Sequence, residues 1–188
     1  MKVDLKPGAM IYPLPVALIS CGQNRDEYNI FTTCWMGTIS SDPPICYISI
    51  KPDRHSHAII KRNMEFVINL TTEELSEQVD YCGLTTGSEV NKFSDLGLTI
   101  DFAKRINAPF IAESPVNIEC SVKSIINYGS HDMFISEIVN VKINNELLDK
   151  ESHRIKLEKL NLMSFNYGKY HGLGKLLGTY GMSMKNKK

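Results

Sequence analysis

A chain of 188 residues in which 21 Lys and Arg are matched by 21 Asp and Glu is neutral overall, so no global field draws it to nucleic acid or to an anionic membrane. Any anion it binds must be gripped by local donors. The 43% hydrophobic and 22% charged composition is that of a globular chain, long enough to bury roughly 70% of its unfolded surface without staples.

One domain spanning residues 1–188 is therefore expected. Five scattered cysteines without a C-x-x-C pair read as reduced thiols and exclude a disulfide frame or a cysteine zinc site. Met1–Met10 lacks the apolar core of a signal peptide, and no run approaches the ~20 residues that span a bilayer. A cytoplasmic location with no membrane partner follows as the expectation. The closing Lys185–Lys188 is expected to be a solvated tail with no nucleic-acid role.

In chain order, Val16–Cys21 is an apolar run of strand length, Gly22–Glu27 a polar connection, and Tyr28–Thr33 the returning strand. Pro43-Pro44 breaks the chain before a β-rich Ile45–Ile50. A short helix begins near Arg54–Ser56 and ends on Lys61-Arg62, whose charges suit a C-terminal turn. Glu65–Leu70 is another strand. Thr71-Thr-Glu-Glu74 has capping-box spacing, which predicts a helix from Thr71 as N-cap to about Tyr81, with Gly83 as its C′ residue.

The second half alternates more plainly. Val116, Ile118, Cys120 and Val122 repeat with period two, as in a half-buried strand. Tyr128-Gly-Ser130 turns the chain into a long strand, Met133–Ile143, with Ile135, Val139, Val141 and Ile143 expected on one face. Asn144-Asn145 signals a further turn. The last thirty residues, with five glycines and three tyrosines, show no clear period. Many strands with helices inserted between them predict a mainly β fold, a barrel with peripheral helices.

Common catalytic signatures are missing. There is no Ser-His-Asp ordering, no Walker A loop and no G-x-G-x-x-G dinucleotide fingerprint. His55 and His57 are two apart, not the i, i+4 of a helical metal pair, and His131, His153 and His171 have no partner at ligand spacing. No metal site and no acid–base catalytic residue is expected.

Several segments, taken in order, resemble the flavin reductase-like and flavoredoxin family of FMN-binding split β-barrels with Greek-key topology. They are Tyr12–Ser20, Asn29–Gly37, Ile39–Pro44, Ile48–Pro52, Arg54–His57, Phe66–Asn69, Val79–Gly83, Asn91–Phe93, Pro115–Cys120 and Gly129–Asp132. Each is weak alone; the ordered series covers nearly the whole chain.

The resemblance implies FMN as cofactor and supplies candidate contacts. Lys51, Arg54, Ser56 and His57, with Lys92, would meet the phosphate and ribityl chain. Arg brings a planar donor fork, Ser a hydroxyl, and a helix start unpaired N–H groups. Thr32, Thr33, Cys34 and Trp35 would border the ring, with Ser49 and Ile50 at its edge. Trp35, the only tryptophan, is open to either core packing or cofactor contact. Cys34 lacks the partner thiol that a redox role wants. His131 is either a turn residue or sits at the mouth of the site.

The resemblance further implies an oxidoreductase, a homodimer, and electrons arriving from NAD(P)H as a transient donor or from a redox protein partner. The alternative is a non-catalytic flavin-binding or haem-binding barrel that stores or senses.

Overall fold

The computed structural model describes residues 1–152 and 154–184; His153 and the Lys185–Lys188 tail lie outside the described residues. The first half contains β1 (Leu14–Pro15), β2 (Ala17–Cys21), β3 (Asn29–Thr33), β4 (Met36–Ser41), β5 (Pro44–Ile50), α1 (His55–Asn63), β6 (Glu65–Leu70) and α2 (Ser76–Leu84). Then follow α3 (Lys92–Asp95), β7 (Ile100–Phe102), β8 (Pro109–Ile111), β9 (Val116–Asn127), β10 (Asp132–Ile143), β11 (Met163–Asn166) and β12 (Lys169–Gly172).

Seven strands form one antiparallel sheet in the order β3-β2-β6-β9-β10-β5-β4. Strands β3 and β4 occupy opposite edges, yet only Cys34 and Trp35 separate them. Laid flat, seven strands would hold those edges about 29 Å apart. The Thr33–Met36 link reaches only about 11 Å. The sheet must therefore curl until its edges approach, and the Ser49 N–H, donating to the Trp35 carbonyl at 2.8 Å, carries the β4–β5 pairing into the link. The result is the expected split barrel, mainly β, with the helices outside and at one end.

Inside the barrel, Ile19, Phe31, Ile48, Phe66, Cys120 and Phe134 pack together, and Ile59 and Ile60 of α1 close one end. The outer face of β2 and β3 is covered by α2 and α3 through Leu75, Val79, Cys82 and Phe93 against Val16, Leu18 and Ile30. Burial on both faces explains why β2 reads as an unbroken apolar run.

On the outer side of β6 and β9, buried polar groups peg down the Lys104–Ile111 segment. Asn69, wholly buried, donates to the Leu18 carbonyl and the Ser20 hydroxyl, both at 2.9 Å. Its Oδ1 accepts from Ile111 N–H at 3.0 Å and from Asn117 at 2.9 Å. The Glu119 carboxylate accepts from the backbone of Lys104 and Arg105 and from Asn140. Strand β9 is thus covered on both faces over its first half, where alternation alone implied one.

Three local expectations shift. Thr71 is not the N-cap: its hydroxyl donates to the Val16 carbonyl at 2.8 Å, and a 3-10 turn at Glu73–Leu75 leads into α2. Helix α2 runs past Gly83, which lies over Thr32 of β3. In β10, a bulge between Ile138 and Asn140 exchanges the faces, so Ile135 does not share a face with Val141 and Ile143; Phe134 is the core residue. Strand β4 and the small sheet β1-β11-β12 carry no period visible in the sequence.

Replacing Asn69 by Ala takes a donor from the Leu18 carbonyl and the Ser20 hydroxyl and an acceptor from the Ile111 N–H and the Asn117 amide at once. It should cost about 3 kcal/mol or more, read as a lower urea midpoint. A loss below about 1 kcal/mol would show that the peg does not hold the covering segment.

Candidate functional site

The seam where the barrel edges meet opens into two hollows that share Phe31, Thr32 and Arg54. The first, about 160 Å³, lies between the start of α1 and the end of α2. Helix α1 has Arg54 at its N-cap, no side-chain cap and no acidic residue in its first turn. Its opening N–H groups and positive dipole end therefore meet no counter-charge on their own helix. Ser56 is buried and its hydroxyl accepts from the Asn29 carboxamide at 2.7 Å. Across the hollow, Gly87 lies so close to that carboxamide that any Cβ would collide with it.

Lys92 forms the floor. It is 3% exposed, and its ammonium donates to the Cys82 carbonyl at 3.0 Å. No carboxylate pairs with Lys92 or Arg54 among the described ion pairs. Burial pushes the Lys92 ammonium below its ordinary pKa, the nearby Cys82 thiol partly opposing and the Arg54 charge adding to it. A buried ammonium with three donors and one protein acceptor is costly unless an anion completes it. The donor set fits a phosphate group.

The second hollow, about 190 Å³, is bordered by Thr32, Thr33, Cys34, Trp35, Ser49, Ile50, Lys51 and His131. Trp35 is 41% exposed, which removes it from the core, and its ring lies 4.3 Å from that of His131 at a 35° tilt. Partial burial and the Lys51 charge lower the His131 pKa, favouring neutral imidazole. The Ser130 hydroxyl holds its Nδ1 at 2.9 Å. Burial pushes the Cys34 thiol up to about 11, leaving little thiolate at neutral pH. Beyond Trp35 and Ser49 a third hollow of about 300 Å³ is walled by Ile11, Tyr12, Leu14, Tyr47 and Met133, with no charged side chain.

Ten of the eleven residues singled out from the sequence thus border the first two hollows: Thr32, Thr33, Cys34, Trp35, Ser49, Ile50, Lys51, Arg54, Ser56 and Lys92. His57 does not. Its imidazole turns inward, 2.8 Å from Asp132, because on α1 it points away from the hollow that Arg54 and Ser56 face. Sequence reasoning missed Asn29 and the Gly83–Gly87 wall; His131, left open there between turn residue and site mouth, borders the ring-side hollow.

A family profile described as flavin reductase-like domain matches residues 9–174. The chain belongs to the flavin reductase-like family. An uncharacterised protein from Archaeoglobus fulgidus is 34% identical over 131 residues, which is 70% of this chain and 73% of that protein. Flavoredoxin of Desulfovibrio vulgaris superposes with a TM-score of 0.89 at 26% identity, covering 98% of this chain and all of that one. An FMN-binding protein from Thermus thermophilus shares the flavin reductase-like fold with a TM-score of 0.77 at 22% identity, covering 92% and 96% of the two chains.

Inorganic phosphate at about ten times its dissociation constant should raise the melting temperature by about 3–5 °C. In Lys92→Met that rise should vanish while stability without phosphate holds or improves. As pH rises through the lowered Lys92 pKa, the phosphate effect should fade, earlier than an ordinary lysine would allow. Calorimetry of both proteins reads this; an equal rise in both would remove Lys92 from the anion site.

Proposed function

We propose that this flavin reductase-like protein binds FMN along the barrel seam and acts as an oxidoreductase that passes electrons through it. The observation that carries the reading is the buried, unpaired Lys92 beside Arg54 at one end of a groove whose other end is walled by the exposed Trp35 and His131. One end suits a dianion and the other a flat ring.

In this reading Arg54, Ser56, Lys92 and the first N–H groups of α1 hold the phosphate. Their charge replaces the water that the dianion gives up. Lys51 borders the groove between the two ends. Thr32, Thr33, Cys34, Ser49 and Ile50 border the ring, and Trp35 and His131 shield it. FMN, once bound, supplies the electron-accepting ring, and hydrogen bonds at its edge set its potential. No side chain at the seam is arranged as an acid–base pair, so the protein's work is binding, orientation and exclusion of water.

The protein partner that completes the assembly is a second copy. Val3, Leu5, Met10 and Ile11 at one end, and Leu173, Leu176, Leu177 and Tyr180 at the other, are exposed apolar residues on arms with no core of their own.

Two electron sources fit, NAD(P)H or a reduced redox protein. The uncharged third hollow next to Trp35 lacks the basic groups that a dinucleotide's diphosphate wants. That favours a flavoredoxin-like electron carrier over a nicotinamide-driven flavin reductase.

Replacing Arg54 by Ala should weaken FMN by about tenfold or more while leaving riboflavin within about twofold, since a charge-assisted contact is worth 1.5–3 kcal/mol. Equal losses for both flavins would move the phosphate elsewhere. Anaerobic spectra of the FMN-loaded protein should show slow bleaching by NADH or NADPH and fast bleaching by a reduced low-potential redox protein. Rapid, catalytic NAD(P)H oxidation would instead establish the reductase. No bleaching by either donor would leave the flavin as a stored or sensing ligand.

A further inference from the structure

The helix that opens toward the phosphate end and the hairpin that carries His131 come from distant parts of the chain. One buried pair joins them. His57 of α1 and Asp132 of β10 meet at 2.8 Å with their side chains 7% and 9% exposed. The second Asp132 oxygen accepts from the Asn127 Nδ2 at 2.6 Å, and the Asn127 side-chain Oδ1 accepts from the Gly129 N–H at 3.1 Å. Tyr128 N–H closes the turn on the His131 carbonyl at 2.9 Å. The His57 ring stands edge-on to Phe134 in the core at 5.3 Å, which fixes its orientation. His131, the residue next to Asp132, lies against Trp35.

We propose that the buried His57–Asp132 pair, extended through Asn127, is a positioning latch that holds the His131–Trp35 wall at a set distance from the start of α1. As a flavin-site device it rests on the FMN reading above; as a tie between helix and hairpin it stands without it. Neither His57 nor Asp132 borders the hollows, so both act through the residues they place. Asp132 is the centre of the tie. One carboxylate oxygen reaches the helix and the other the turn, an arrangement that asparagine can only half reproduce because its amide nitrogen donates where the carboxylate accepts. Breaking one member of a buried pair leaves the other unpaired, so the hairpin should gain freedom at the point where His131 is attached.

Trp35 is the only tryptophan in the chain, so its emission reports the stack directly in protein without flavin. His131→Ala should change the Trp35 yield by removing the ring beside it. Asp132→Asn should change it in the same direction. Asn127→Ala, which keeps the interior pair and frees only the turn, should give a smaller change of the same sign and serves where Asp132→Asn folds poorly. In the His131→Ala background neither second substitution should add anything, because the latch acts through His131. Asp132→Asn should also weaken FMN and riboflavin alike, by about tenfold, unlike Arg54→Ala.

A lower melting temperature with Trp35 emission and flavin affinities unchanged would reduce the pair to a core contact and overturn the proposal. Additive emission changes in the double variants would overturn it as well. Emission changes as described, in a protein that binds neither FMN nor riboflavin, would uphold the latch and remove the flavin reading instead.

Discussion

The architecture depends on the shortness of one link. Strands β3 and β4 lie at opposite edges of a seven-stranded sheet and are joined by Cys34 and Trp35 alone. That link cannot cross a flat sheet, so the sheet closes around Phe31, Ile48, Phe66 and Phe134. At the closure the strands are not fully paired along their length. Thr33, Cys34, Trp35 and Ser49 beside it border a groove. The groove is a by-product of how the barrel shuts.

Around that seam the polar groups divide by whether they are satisfied. Asn69, Glu119 and Ser20 are buried, yet each is met by backbone or side-chain partners, and they fasten the Lys104–Ile111 segment over the sheet. Lys92 is equally buried and has one carbonyl acceptor. The fold thus keeps an ammonium without a carboxylate partner among the described ion pairs where it borders the groove.

Much of this was legible in one dimension. The runs at Ala17–Cys21, Asn29–Thr33, Pro44–Ile50 and Glu65–Leu70 have the length and residue types of strands, and the β9–β10 hairpin is announced by alternation and by Gly129. The ordered segments of the family resemblance carried ten residues that border the two hollows at the seam. What failed was local. The capping-box spacing pointed to Thr71, but the Val16 carbonyl needed that hydroxyl more than the helix did. The face of β10 was misassigned because a bulge inserts one residue, and a bulge has no period.

The sequence by itself determined the strand content, the absence of charge bias, and the residue types that border the groove. These depend on composition and short-range order, which a chain displays before it folds. Only the tertiary structure decided the direction of individual side chains. It turned His57 inward to Asp132 while Ser56, one position earlier, faces the groove, and it brought His131 against Trp35 from nearly a hundred residues away. Those outcomes follow from helix rotation, strand register and barrel closure, which are set by contacts between distant segments and leave no mark in local spacing.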